Sequence, residues 1–243
     1  MKRKFVIISI ISTLVVAFSV GGVFAFNFGK KAKSAPKLEV SKDSVGIDVS
    51  HHQGDIDWQE VSKEKILFVY IKATEGKTYT DPKFHQNIKG AQKAGLKVGA
   101  YHFFRMTSGA REQFNHFYSQ VDKYKLDLIP MIDVEVPPKE VKSIKQVQDS
   151  LDVFIKLVTQ KYGKKPMIYG TQRSYNTYCA PKPKYNNLHL YIGRYKSNIP
   201  PEIRGEGSYT IWQYSEHGKI NGIPKAVDLA RFRKGYGIKD IKL

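Results

Sequence analysis

Leu128-Ile129-Pro130-Met131-Ile132-Asp133-Val134-Glu135 is an apolar run that ends in two acids separated by one apolar residue. On a strand, side chains alternate faces, so Asp133 and Glu135 point the same way. They sit where a buried strand meets solvent, just before the turn signal Pro137-Pro138. Two carboxylates this close do not titrate independently: one tends to hold its proton near neutral pH, as acid-catalysed bond cleavage requires. The plainer alternative is that the acids end a core strand and open the next turn.

Working outward, eight short apolar segments have strand character. They are Val45–Val49, Leu67–Lys72, Lys97–Phe104, Leu128–Glu135, Pro166–Tyr169, Leu188–Gly193, Tyr209–Tyr214 and Ala226–Ala230. Helical patterns lie between the early ones. Asp81–Ala94 carries Phe84, Ile88, Ala91 and Ala94 at three- and four-residue spacing, with Gly95 as its stop. Gly109–Tyr124 is similar, as is Val141–Tyr162, which Gly163 closes. Strands alternating with helices predict an α/β chain with a parallel sheet, here a TIM-like (β/α) barrel of eight strands and about five helices, thin in helices after Pro166.

In such a barrel the functional groups lie at the carboxyl ends of the strands. The predicted ends are Asp48-Val49-Ser50-His51-His52-Gln53, Lys72-Ala73-Thr74-Glu75-Gly76, Tyr101-His102-Phe103-Phe104-Arg105, Asp133-Val134-Glu135 and Trp212-Gln213-Tyr214, with Asp228 on the last strand. Closure places the last strand beside the first, which makes Asp228 and Asp48 neighbours. Polar ends are common, but the aromatic content here favours a site. Tyr101, Trp212, Tyr214 and Tyr191 are candidate aromatic surfaces for a ligand, with core filling as the alternative. His102 is a candidate hydrogen-bonding group of the site or a satisfied core histidine. His51-His52 does not read as a metal site, because adjacent residues point apart and no third ligand shares their spacing. No metal or cofactor is expected.

The 243 residues are 41% hydrophobic, enough for one large domain. Lys30 to Ser44 is polar and lysine-rich and reads as a basic linker (30–44) before a catalytic domain spanning 45–243. Residues 1–29 open with Met1-Lys2-Arg3-Lys4 and continue as an uncharged, mostly apolar stretch to Gly29. That length suits an N-terminal hydrophobic helix in a membrane, with the front charges holding the N-terminus inside and the remainder exported. Val23-Phe24-Ala25 offers the alternative of a cleaved signal peptide. The net charge is +18; the residues before Val45 hold eight of the 40 bases and two of the 22 acids, which leaves +12 on the body. Such charge attracts polyanions, and an anionic cell wall suits an exported domain; no nucleic-acid motif is visible. The single cysteine, Cys179, excludes an internal disulfide and reads as a buried thiol.

Together these segments resemble glycoside hydrolase family 25, the lysozymes (N-acetylmuramidases) that cleave bacterial peptidoglycan. The resemblance is carried by Gly46-Ile47-Asp48-Val49-Ser50 with Gln53, Lys72-Ala73-Thr74-Glu75-Gly76, and Tyr79 with Asp81-Pro82 and Phe84. It continues through Gly99-Ala100-Tyr101-His102-Phe103, Asp133-Val134-Glu135, Trp212-Gln213-Tyr214 and Val227-Asp228. These run in order from Val45 to about Phe232. Two positions depart from the family pattern: Leu190-Tyr191 stands where many members carry Leu-Trp, and Leu229-Ala230-Arg231-Phe232 lacks the usual Asn.

The resemblance implies that Glu135 is the general acid and Asp133 the second catalytic carboxylate. Asp48 and Asp228 ring the site. Tyr101, Trp212, Tyr214, Tyr191, His102 and Gln53 bind the glycan. It implies peptidoglycan strands as substrate and action outside the cytoplasm. A noncatalytic glycan-binding barrel, or a glycosidase of chitin or another N-acetylated polymer, are the rival functions.

Overall fold

The computed structural model describes residues 45–195, 199–205 and 207–243. The expected hydrophobic helix and basic linker lie outside the described residues; among those described, no helix is long and apolar enough to cross a membrane. In chain order the strands are β1 (Val45–Val49), β2 (Ile66–Glu75), β3 (Tyr79–Thr80), β4 (Val98–Phe103), β5 (Met131–Asp133), β6 (Met167–Thr171), β7 (Leu190–Gly193), β8 (Ile211–Gly218) and β9 (Val227–Phe232). The α-helices are α1 (Trp58–Val61), α2 (Phe84–Lys93), α3 (Ala110–Val121), α4 (Ile144–Tyr162) and α5 (Gln172–Ser174).

Eight strands close into a barrel in the order β1-β9-β8-β7-β6-β5-β4-β2, with β2 returning to β1. The two-residue β3 folds back on the end of β2 outside this ring. The expectation of a wholly parallel sheet is corrected at one strand: β9 runs antiparallel to both β8 and β1. A parallel return needs a crossover of about a dozen residues or more, whereas only residues 219–226 join β8 to β9, so the chain can only turn back. The reversal brings the amino end of β9, not its carboxyl end, to the rim where the parallel strands finish.

The alternation along each strand divides the core in two. Phe68 and Tyr70 of β2 point inward and pack with Met131, Met167, Tyr169, Tyr191 and Ile211 inside the barrel. Val69, Ile71 and Ala73 of the same strand point outward, into the larger layer under the helices. The interior is tight: a Cβ on Gly46 would lie 2.0 Å from the Phe68 ring, so no larger residue fits there without displacing it. The bottom is closed by the C-terminal segment, where Ile129 N–H donates to Ile241 O at 2.9 Å and the Tyr70 hydroxyl donates to Ile129 O at 3.0 Å.

The longest helix, α4, buries Val147, Leu151, Phe154 and Val158 along one face. Ser143 caps it by accepting from Gln146 N, and Gly163 ends it at φ 71, in the left-handed region glycine adopts cheaply. After α4 no described helix exceeds five residues, as the sequence predicts for the last third.

Candidate active site

The carboxyl ends of the parallel strands surround a cavity of about 250 Å³. Asp48 from β1, Asp133 from β5, Glu135 just past β5, and Asp228 from β9 all line it. Asp133 and Glu135 share this face, as two positions apart on an extended chain must. Asp48 and Asp228 are paired directly across β1 and β9, so the reversed strand still delivers its acid to this rim. Tyr101 and Phe103 from β4, Tyr169 from β6 and Tyr195 after β7 add aromatic wall, and Lys72 from β2 adds one cation.

The acids are held differently. Asp48 accepts from the Tyr191 hydroxyl at 2.8 Å and from Gln213 Nε2 at 2.8 Å, both on Oδ2. Gln213 is itself fixed, because its Oε1 accepts from the hydroxyls of Tyr169 and Tyr195, each at 2.7 Å. Asp133 is buried, and its Oδ1 has no hydrogen-bond partner among the described residues.

All four carboxyls are pushed above the ordinary range, and burial is the largest cause each time. Asp133 is raised well above it, next by the Glu135 charge, while the Lys72 ammonium opposes. Glu135 is raised next by the Asp48 charge, and the Thr171 backbone N–H opposes. Asp48 is restrained by Tyr191, Gln213 and Asp228, all of which hydrogen-bond its charged form. Asp228 is pushed up to about 8 by burial and then by the Asp48 charge. Asp228 therefore holds a proton at neutral pH, directly across the strand pair from Asp48, whose charged form that proton favours. Burial and mutual repulsion thus favour the protonated forms of these carboxyls, the condition acid-assisted cleavage needs.

A profile of the glycosyl hydrolases family 25 matches residues 47–223. The chain belongs to glycosyl hydrolase family 25. It is 35% identical to the autolytic lysozyme of Clostridium acetobutylicum over 193 residues, which covers 78% of this chain and 56% of that protein. A solved family 25 glycosyl hydrolase from Bacillus anthracis superposes with a TM-score of 0.72 at 36% identity, covering 80% of this chain and 90% of that one. The lysozyme of Streptomyces coelicolor superposes at 0.75 with 29% identity, covering 82% and 95%. The chain is accordingly a glycoside hydrolase.

Within this family 25 domain the cavity gathers five of the ten residues singled out in the sequence: Glu135, Asp133, Asp48, Asp228 and Tyr101. The other five are placed differently. Tyr191 is fully buried and reaches the site only through its hydroxyl on Asp48, so it supports an acid and offers no sugar platform. His102 is the outward neighbour of Tyr101. It is wholly buried, stacked on Phe154 at 4.9 Å and hydrogen-bonded to Thr74 at 2.8 Å and Gln113 at 3.0 Å; burial lowers its pKa to about 3. It is a core histidine.

Gln53 is spent on local structure: Oε1 accepts from Ser50 N at 2.9 Å, and Nε2 donates to Ala226 O at 3.1 Å. Trp212 faces away from the cavity because its neighbour Gln213 faces into it. Its Nε1 donates to Arg194 O at 2.9 Å, and the Arg231 guanidinium covers its ring at 4.3 Å. Tyr214, also under Arg231, follows a register shift in β8 and does not line the cavity.

Lys72, Phe103, Tyr169, Tyr195 and Gln213 were not singled out for the site. Gln213 and Lys72 were visible as uncommon polar residues in apolar strands. Lys72 is held by Glu75 at 2.8 Å and lies over the Phe103 ring at 4.9 Å. Glu75 also binds Arg105 at 3.0 Å, and Arg105 pairs with Glu140, so the ends of β2 and β4 are tied to the turn after β5. Cys179 is buried, and burial pushes its thiol up to about 12.

Proposed function

We propose that this chain is a muramidase that hydrolyses the β-1,4 bond between N-acetylmuramic acid and N-acetylglucosamine in peptidoglycan, with Glu135 as general acid. One observation carries this: five carboxyls, the four above and Glu216 of β8, converge at one mouth of the barrel, and Glu135 alone among them also borders the groove beside the cavity. A glycosidase acid must stand at the broken bond and enter the reaction protonated. The raised pKa of Glu135 and its position between two recesses suit that role. The lysozymes of C. acetobutylicum and S. coelicolor support the substrate class.

Asp133, deeper and buried, then meets the acetamido group of the sugar bound in the cavity. That group attacks the anomeric carbon as the glycosidic oxygen takes the Glu135 proton. Water opens the resulting ring from the same face, returning a proton to Glu135, so configuration is retained. Asp48, whose charged form the Tyr191 hydroxyl and Gln213 amide favour against burial, stabilises the positive charge that develops on the ring. Tyr101, Phe103, Tyr169 and Tyr195 supply surfaces for the C–H faces of the sugar. We place the enzyme outside the cytoplasm, anchored through residues 1–29, with the basic body drawing it to anionic wall polymers.

The test is mass spectrometry of fragments released from defined peptidoglycan, with proton NMR of the first-formed anomer. New reducing ends on N-acetylmuramic acid with the β-anomer first are expected. Reducing ends on N-acetylglucosamine, or cleavage of chitin oligomers alone, reject the bond assignment. The α-anomer first rejects the acetamido route.

A further inference from the structure

Beside the catalytic cavity lies a second recess of about 530 Å³, within the range of small-ligand sites. Glu135 lines both. The second recess has apolar walls from Val136, Pro137, Pro138 and Tyr178, and one cation, Arg173. Two features fix what it is for. Thr171, the last residue of β6, lines it beside Glu135, so the recess begins at the carboxyl proposed as the acid. Arg173 is exposed and makes no ion pair with any described residue. An exposed guanidinium in a groove whose single carboxyl is Glu135 is a fork for a carboxylate arriving with the ligand.

We infer that this recess takes the leaving side of the glycan and that Arg173 reads a carboxylate of the peptide stem carried on that side, so that peptide-bearing strands are preferred over strands whose carboxylates are blocked. This rests on the muramidase function proposed above. The two recesses divide the substrate at Glu135. The acid-lined cavity holds the sugar whose anomeric carbon reacts. The apolar recess holds the part that departs with the proton. An anion is better received on the second side, where Arg173 faces the single carboxyl of Glu135, than on the first, which crowds five carboxyls. Specificity for stem carboxylates would thus be set outside the catalytic group.

The experiment compares kcat/KM for two defined glycan fragments, one with free stem carboxylates and one with those carboxylates amidated, using the full chain and its Arg173→Gln and Arg173→Lys variants. The wild type is expected to favour the free carboxylate by about three- to fivefold, the scale of a solvent-exposed ion pair. The preference should sit in KM. Arg173→Gln should bring the ratio to about one, and Arg173→Lys, which keeps the charge without the fork, should fall between. If Arg173→Gln does not fold, the wild-type ratio measured from about 0.05 M to about 0.5 M salt decides, and it should shrink towards one. A ratio equal in wild type and Arg173→Gln, or one insensitive to salt, overturns the role of Arg173. Wild type that cleaves neither fragment rejects the muramidase function itself, which is a different failure.

Discussion

Tyr101 and His102 are consecutive residues of β4, yet they belong to two regions governed by opposite rules. Tyr101 faces the cavity, where polar groups are left with competing demands: Asp133 Oδ1 has no partner, and Asp228 holds a proton across from Asp48. His102 faces the shell under the helices, where both of its ring nitrogens are partnered. Gln113 Oε1 accepts from the Arg105 backbone N–H at 3.0 Å, so the Nε2 of His102 facing the same oxygen must carry the hydrogen. Its Nδ1 then accepts from the Thr74 hydroxyl. Gln113 Nε2 donates to Arg105 O at 2.7 Å and to Ser108 O at 2.9 Å. A buried polar group that is fully partnered holds one charge state and contributes rigidity; one that is not is available for chemistry. At β4 the barrel wall stands between one group of each kind, Asp133 inside and His102 outside.

Substitutions on the two faces should therefore part activity from stability. The largest effect is expected from Glu135→Gln, which keeps the shape and loses the transferable proton. Turbidity clearing of purified walls should fall by about 10²–10⁴-fold, the usual contribution of general acid catalysis, while the melting temperature moves little. Activity within threefold of the wild type would mean that another group supplies the proton.

The outer face should behave the other way round. Gln113→Leu strands the Arg105 N–H, the His102 Nε2–H and the Arg105 and Ser108 carbonyls in a dry layer. Leaving buried partners unmet costs about 2–4 kcal/mol, or roughly 4–16 °C in melting temperature for a domain of this size. Catalysis by the folded fraction should stay within about twofold. A melting temperature equal to wild type would show that water replaces Gln113, and the contrast between the faces would lose its physical basis.

The sequence exposes the cavity acids better than their surroundings, for a geometric reason. Asp133 and Glu135 are two apart, so they share a face whichever face that is. Asp48 and Asp228 follow from closure, which joins the first strand to the last whatever its direction. The aromatic and polar neighbours need the phase of each strand, and phase is hidden where both faces are buried. Val98-Gly99-Ala100-Tyr101-His102-Phe103 carries no polar alternation to show that Tyr101 points in and His102 out. Phase also decides between Trp212 and Gln213, where the bulkier residue was the more conspicuous and the buried amide was the one that reaches Asp48. The reversed β9 was concealed by a boundary. Ending its predecessor at Tyr214 makes the connector look long enough for a crossover, but β8 continues to Gly218. Residues 1–44 carry the clearest hydropathy signal of the chain and lie outside the described structure.

The smallest expected effect lies within the cavity, at the acid pair, and it sharpens the comparison because it turns on pH alone. Asp228 is raised from 3.8 to about 8, so the native state keeps a proton that the unfolded chain gives up near pH 4. A raised folded value sets the sign. The stabilisation is complete below about pH 4, declines as pH rises, and is gone above about pH 8. Asp228→Asn offers Asp48 an amide donor at every pH and has no proton to lose. The melting temperature of the variant minus that of the wild type should then grow between about pH 4 and pH 8 and level off above. Asp228 is partly exposed and its shift is screened by solvent, so the growth should correspond to only about 1–2 kcal/mol, roughly 2–8 °C. The same scan on Gln113→Leu should give a difference with no such step, because His102 stays neutral throughout that range. A flat difference for Asp228→Asn would mean that Asp228 is already ionised at neutral pH. Asp48 would then face it as one charge against another, and the proton would have to sit elsewhere among the cavity acids.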